Sequence, residues 1–208
     1  MILHGYFRSS ASWRVRIALE LKGLAVEHRS HHLRKGEQRA ADYLRLNPQG
    51  LVPALALDDG RVLTQSLAIL EYLDEVAPEP PLLPGGAAQR AEIRALAQII
   101  ACDVHPLQNL KVLDRIRALA GDAAARQWAQ TVIREGLDAF EAVVSPRSGA
   151  FACGERPTLA DVVLIPQLGN ARRFGLEVSW PRIAQIEENC MRLEAFRRAV
   201  PERQPDAE

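Results

Sequence analysis

Pro53-Ala54-Leu55-Ala56-Leu57-Asp58-Asp59-Gly60-Arg61-Val62-Leu63, followed by Thr64-Gln65-Ser66-Leu67-Ala68-Ile69-Leu70, is the stretch on which the fold turns. Its first five residues and Arg61-Val62-Leu63 read as two short strands, because Asp59-Gly60 between them supplies the positive dihedrals of a tight hairpin. Directly behind the hairpin, residues 66–76 carry Leu67, Ile69, Leu70 and Leu73 on a helical repeat. The stretch is therefore strand, turn, strand, helix.

Upstream, residues 2–7 read as a strand. Residues 12–22 read as a helix with apolar Val15, Ile17, Ala18 and Leu21, closed by Gly23 in the position that favours a left-handed C-cap. A second strand falls near residues 25–32, and residues 37–46 are a weaker helix candidate that must end by Asn47-Pro48. The order β-α-β-α-β-β-α is that of a thioredoxin-like half-domain.

Downstream, Ala77-Pro78-Glu79-Pro80-Pro81-Leu82-Leu83-Pro84-Gly85-Gly86 forbids a continuous helix and marks a boundary. Beyond it Ile93, Leu96, Ala97 and Ile100 follow the spacing of one buried helix face, and Ile133, Leu137, Phe140 and Val144 repeat it. Thr158-Leu159-Ala160-Asp161 is a capping-box variant at a helix start. The fold class is α/β plus all-α: a thioredoxin-like domain over residues 1–77, a linker over 78–86 and an α-helical bundle over 87–208. Residues 201–208 read as a frayed tail.

Lys and Arg together number 26 and Asp and Glu together number 26 in 208 residues, for zero formal charge. That balance argues against a nucleic-acid partner. No apolar stretch approaches the roughly 18 residues that span a bilayer, so no membrane partner is expected. Cys102, Cys153 and Cys190 are an odd, widely spaced set, and Met1-Ile2-Leu3-His4-Gly5-Tyr6-Phe7-Arg8 lacks the pattern of a signal peptide; the expectation is a cytoplasmic protein. His28, His31 and His32 cluster on one segment without acidic or Cys partners, and no metal site is expected. Cys102 and His105 read as core packing, and Trp13, Trp128 and Trp180 as buried aromatics.

The chemistry gathers in Arg8-Ser9-Ser10-Ala11-Ser12-Trp13-Arg14-Val15-Arg16, between the first strand and the first helix. Orphan N–H groups and the helix dipole favour an anion there. A free thiol of pKa about 8.5 is only about 3% ionised at pH 7. At a helix N-terminus thiol pKa values fall to about 3.5–7.5, which makes the thiolate a major species. Helix capping alone accounts for the same serines equally well.

This segment closely resembles the Ser-Ser-Cys-Ser-Trp-Arg-Val-Arg signature of the zeta-class glutathione transferases, a family that includes isomerases of maleylacetoacetate and of maleylpyruvate. The resemblance continues through Leu46-Asn47-Pro48, Val52-Pro53, Gln65-Ser66-Leu67-Ala68-Ile69, Pro106-Leu107-Gln108-Asn109, Asn170-Ala171-Arg172-Arg173-Phe174 and Arg203-Gln204-Pro205-Asp206. It implies glutathione as cofactor, with a glutathione-binding first domain and a substrate site in the second. Ala11 stands where the family pattern has Cys, so the nucleophile has to come from glutathione. By resemblance Ser9 orients the thiolate, with Ser10 as its neighbour and possible substitute. Val52 and Pro53, the latter similar to the family's cis proline, offer backbone to the tripeptide. Gln65 and Ser66 suit the γ-glutamyl carboxylate, and Gln108 and Asn109 face the cofactor.

A small maleyl acid as substrate calls for cations. Arg173 matches the family arginine that receives a carboxylate, and Arg8 is a second candidate. His105 and Lys111 resemble a His and Arg pair of the maleylpyruvate enzymes. Arg14 and Arg172 read as solvated surface charges. The implied reaction is glutathione-dependent cis–trans isomerisation of maleylacetoacetate, as in aromatic amino-acid catabolism. The alternatives are maleylpyruvate isomerisation, a conjugating or dehalogenating transferase, and a non-catalytic binding protein of the same fold. The resemblance also implies a homodimer.

Overall fold

The computed structural model describes all 208 residues. They form two compact units, one of Met1–Leu82 with Arg192–Glu208 and one of Leu83–Met191. The fold class is the expected one, α/β followed by all-α.

Strands β1 (Ile2–Gly5), β2 (Glu27–Ser30), β3 (Ala54–Ala56) and β4 (Val62–Thr64) make a mixed sheet in the order β2-β1-β3-β4. β1 runs parallel to β2 and antiparallel to β3, with Leu3 opposite Leu55; β3 pairs antiparallel with β4, Ala54 opposite Thr64. The hairpin closes as the sequence requires, with Gly60 at φ 87° and the N–H of Leu57 donating to the Arg61 carbonyl at 2.8 Å. Helices α1 (Ser10–Lys22) and α3 (Ser66–Val76) pack on one another, burying Val15, Ile17 and Ala18 against Ile69, Leu70 and Leu73.

Helix α1 is buried beyond its apolar face. Arg14, Arg16 and Lys22 are buried on it as well, because it also packs on α8 (Glu194–Arg198). Each cation finds internal oxygen. Lys22 Nζ donates to Asp74 Oδ1 at 2.7 Å and to the Pro80 carbonyl at 2.6 Å, and the same carboxylate oxygen accepts from Leu82 N. Those bonds hold the proline segment against the first unit.

Residues 201–208 are no frayed tail. Pro201 is buried, Asp206 Oδ2 accepts from Phe7 N at 3.0 Å and Ser30 Oγ at 2.6 Å, and Glu208 meets His32. Arg16 spans the join from inside, donating Nε to the Ala199 carbonyl and a terminal N–H to the Phe7 carbonyl. Burial lowers its pKa to about 10. The expected helix over 37–46 is split: a 3₁₀ turn Glu37–Arg39 precedes α2 (Ala41–Leu46), because Ala40 is extended at φ −63°, ψ 145°.

The second unit is helical: α4 (Ala87–Gln98), a π-helical turn Ile99–Val104, α5 (Leu110–Val144), α6 (Leu159–Arg173) and α7 (Pro181–Arg192). Ile93, Leu96, Ala97, Ile100, Ile133, Leu137, Phe140 and Val144 are all buried, as their spacing requires. α5 is interrupted at Gly121, where φ 85° leaves the helical region. At Gly136 a Cβ would stand 2.0 Å from Val104 Cγ2, so glycine lets α5 lie directly on the π turn. Trp13 and Trp180 are buried, but Trp128 is 42% exposed, against expectation; its Nε1 donates to the Leu107 carbonyl. No helix is long and apolar enough to cross a membrane.

The capping box at α6 forms, with Asp161 fully buried. Its Oδ2 accepts from the N–H and hydroxyl of Thr158 at 2.7 and 2.9 Å, and its Oδ1 from Ala152 N at 2.8 Å. One carboxylate thus ends the loop at 152 and starts the helix at 158. Asp161→Ala leaves those donors buried and unpaired, so chemical denaturation should show a loss of about 2–4 kcal/mol.

Candidate active site

The turn from β1 into α1 is closed by Ser9 N donating to the Tyr6 carbonyl at 3.0 Å. Ser9 is the N-cap, extended at φ −71°, ψ 116°, and its Oγ accepts from Ser12 N at 3.2 Å. That bond uses an oxygen lone pair and leaves the hydroxyl proton to be donated. Capping and orienting a thiolate are therefore compatible roles for one side chain. Ser10 is buried at the first helical position, Ala11 follows it, and the first turn holds no acidic residue to offset the positive helix end.

A second wall of the first unit is the loop before β3. Tyr43 Oη and Asn47 Nδ2 both donate to the Leu51 carbonyl, at 2.5 and 2.7 Å, and Asn47 Oδ1 accepts from Gln49 N at 3.1 Å. The Val52–Pro53 peptide is cis. No hydrogen bond within the chain engages the N–H or C=O of Val52, which fits an added extended peptide. Tyr43 packs on His31 at 4.4 Å between ring centroids, and His31 Nε2 lies 2.8 Å from His4 Nδ1. Burial and the facing His31 lower the His4 pKa to about 4. Sequence reasoning missed this pair because His4 lies on a different strand, 27 residues away.

Gln65 and Ser66 open α3. Gln65 is the one residue other than glycine with positive φ, at 67°, an unfavourable conformation of the kind that gathers at ligand sites. Its Nε2 donates to Gln49 Oε1 at 2.9 Å. No side chain caps α3, so its first N–H groups face outward with the positive helix end. Ser66 is buried, and its Oγ accepts from a terminal N–H of Arg14 at 3.2 Å. Arg14 is only 2% exposed, which corrects its reading as a solvated charge. A carboxylate fits the α3 start, and an ionised thiol fits the α1 start.

In the second unit, His105 follows the π turn, with its N–H donating to the Ile100 carbonyl at 2.9 Å. Gln108 is buried, and its Nε2 reaches Gln167 Oε1 at 3.3 Å, an acceptor shared with Asn170. Asn109 caps α5, with Oδ1 accepting from Lys111 N at 3.3 Å, so these two candidates are tied through one cap. Lys111 and Arg173 are exposed, Arg173 at the end of α6. Neighbouring Arg172 forms a two-pronged surface pair with Glu187 at 2.6 Å per contact. Burial raises the Cys153 pKa to about 11 and pushes the Cys190 thiol up as well, so neither is poised as a thiolate.

The family profile for the glutathione S-transferase N-terminal domain matches residues 8–76, and that for the glutathione S-transferase C-terminal domain matches residues 61–188. A maleylacetoacetate isomerase of Rhizobium meliloti is 48% identical over 97% of this chain and 96% of its own. The holo structure of a maleyl pyruvate isomerase, described as a bacterial glutathione S-transferase of the zeta class, superposes with a TM-score of 0.96 at 44% identity, covering all of both chains. A maleylacetoacetate isomerase of Anaeromyxobacter dehalogenans with glutathione bound in its active site has a TM-score of 0.91 at 45% identity, covering 100% of this chain and 97% of that one. With both family profiles matched and these likenesses running the full length, the chain belongs to the zeta class of the glutathione S-transferase family.

Proposed function

We propose that the protein is a glutathione-dependent maleylacetoacetate isomerase. The observation that carries this reading is the turn at Ser9, an N-cap with a hydroxyl proton to give and no Cys beside it, kept in a chain similar end to end to such isomerases. Glutathione, when bound, supplies the thiolate whose reversible addition turns the conjugated double bond into a single bond, so that rotation is fast and no thiol is consumed.

The chain's own residues supply the rest. Ser9 donates to sulfur, Ser10 stands beside it, and the start of α1 favours the charge. Val52, ahead of Pro53, pairs with the tripeptide backbone, while Gln65 and Ser66 take the γ-glutamyl carboxylate. Gln108 and Asn109 bind the cofactor from the helical part of the chain, which carries all the substrate residues but Arg8. Arg8 and Arg173 hold the carboxylates of the maleyl acid, and His105 and Lys111 meet the negative charge that develops beyond the double bond. A relative crystallised with dicarboxyethyl glutathione and citrate, and another with malonate and glutathione, support acidic ligands. The protein works in the cytoplasm as a homodimer.

Maleylpyruvate is the second reading, favoured by the likeness to maleyl pyruvate isomerase and by His105 with Lys111. Ultraviolet spectra of maleylacetone and of maleylpyruvate, each with and without glutathione, test both. Isomerisation of maleylacetone only with glutathione, at constant total thiol, is the expected result. Net loss of thiol assigns a conjugating transferase, and silence with both acids leaves a conjugating or dehalogenating transferase of other substrates or a binding protein.

Ser9→Gly retains most of the capping stability, yet it should lower kcat about 100-fold while the Kd for glutathione changes little. An unchanged rate would hand the role to Ser10. Arg173→Ala should raise KM for dianionic acids about 10-fold at nearly constant kcat, as for loss of a uniform binding contact; unaltered kinetics remove Arg173 from the site.

A further inference from the structure

We infer that Arg14 is a positioning residue for glutathione, aiming the Ser66 hydroxyl proton at the γ-glutamyl carboxylate and selecting for that carboxylate. The inference rests on the proposed glutathione-dependent reading and deepens it.

A guanidinium has donors and no acceptor. In the 3.2 Å contact between Arg14 and Ser66 Oγ the hydroxyl oxygen is therefore the acceptor, and its own proton has to point elsewhere. Ser66 is the first residue of α3, and the helix start beside it has no side-chain cap. A serine there would ordinarily rotate freely among several hydrogen-bonding directions. Arg14 restricts that freedom by occupying one lone pair on the inner side, which turns the proton toward an incoming anion.

Charge acts in the same direction. Arg14 sits on α1 with 2% exposure, where solvent screens it little, and it delivers positive charge to the inner side of Ser66. A carboxylate at the α3 start then meets an aligned hydroxyl, outward N–H groups, the helix dipole and a cation one bond behind. An uncharged group in the same place gains little from the last two. Since Ser9 caps α1 and Arg14 lies further along the same helix, α1 serves two groups of the tripeptide, the central Cys sulfur through its cap and the γ-glutamyl carboxylate through Arg14.

The experiment compares binding of glutathione and of its analogue lacking the γ-glutamyl α-carboxylate, 4-aminobutyryl-cysteinylglycine, by calorimetry on the full chain. Wild type should prefer glutathione by more than 10-fold. Arg14→Met should weaken glutathione about 10-fold and leave the analogue unchanged, so that the preference collapses; Arg14→Lys, which keeps the cation, should restore part of it. In a Ser66→Ala background Arg14→Lys should have no further effect, and this arm stands even where Arg14→Met does not fold. Equal losses for both ligands mean that Arg14 is merely structural and overturn the inference, as does an unchanged preference. Wild type that binds neither ligand overturns the glutathione-dependent reading itself, whereas wild type that turns over maleylacetone but binds both ligands alike overturns the role of Arg14 alone.

Discussion

The burial of α1 is the constraint from which the rest of the first unit follows. A helix that packs on α3 along one side and on α8 along another shuts Arg14, Arg16 and Lys22 away from water. Desolvating a guanidinium is costly unless oxygen surrounds it. The surrounding chain supplies that oxygen. Arg16 gathers the carbonyls of Phe7 and Ala199, so the C-terminal segment is held to the end of β1; Lys22 gathers Asp74 and Pro80, so the proline segment is held as well. Arg14 reaches Ser66.

Ser9 and Ser66 share one logic. A hydroxyl can accept and donate at once, and the protein takes up its acceptor capacity internally while leaving the proton. Ser9 accepts from Ser12 N, and Ser66 accepts from Arg14. Both sit at helix starts, where the field already favours anions. One such place suits a sulfur anion and the other a carboxylate, the two groups that a γ-glutamyl thiol presents. Ala11 in place of the family's Cys is no loss for isomerisation through a bound thiol, because the protein contributes orientation and field while the ligand brings the nucleophile.

In the second unit the balance between exposed and buried polar groups differs. Gln108 is tied inward to Gln167, and Asn109 is spent in part on capping α5, whereas Lys111 and Arg173 stand in solvent.

Local pattern sufficed for much of this protein. The hairpin at Asp59-Gly60, the helix from Ser66 to Val76, the buried stripes of the second unit and the capping box at Thr158 were all legible, since each depends on residues within a few positions of one another. The Ser9 cap is equally local, since its hydroxyl accepts from the N–H three residues on, although the apolar pattern by itself begins that helix at residue 12. What the linear order hid was every feature made by distant partners. Arg14 looks like a surface charge until α1 is enclosed by α3 and α8, the 201–208 segment looks frayed until Asp206 meets Phe7 and Ser30, and His4 looks isolated until β1 and β2 bring it to His31. Periodicity records which face of a helix is apolar. It carries no record of how many neighbours surround that helix, and it is this number that decides whether a charged side chain is solvated or built into the site.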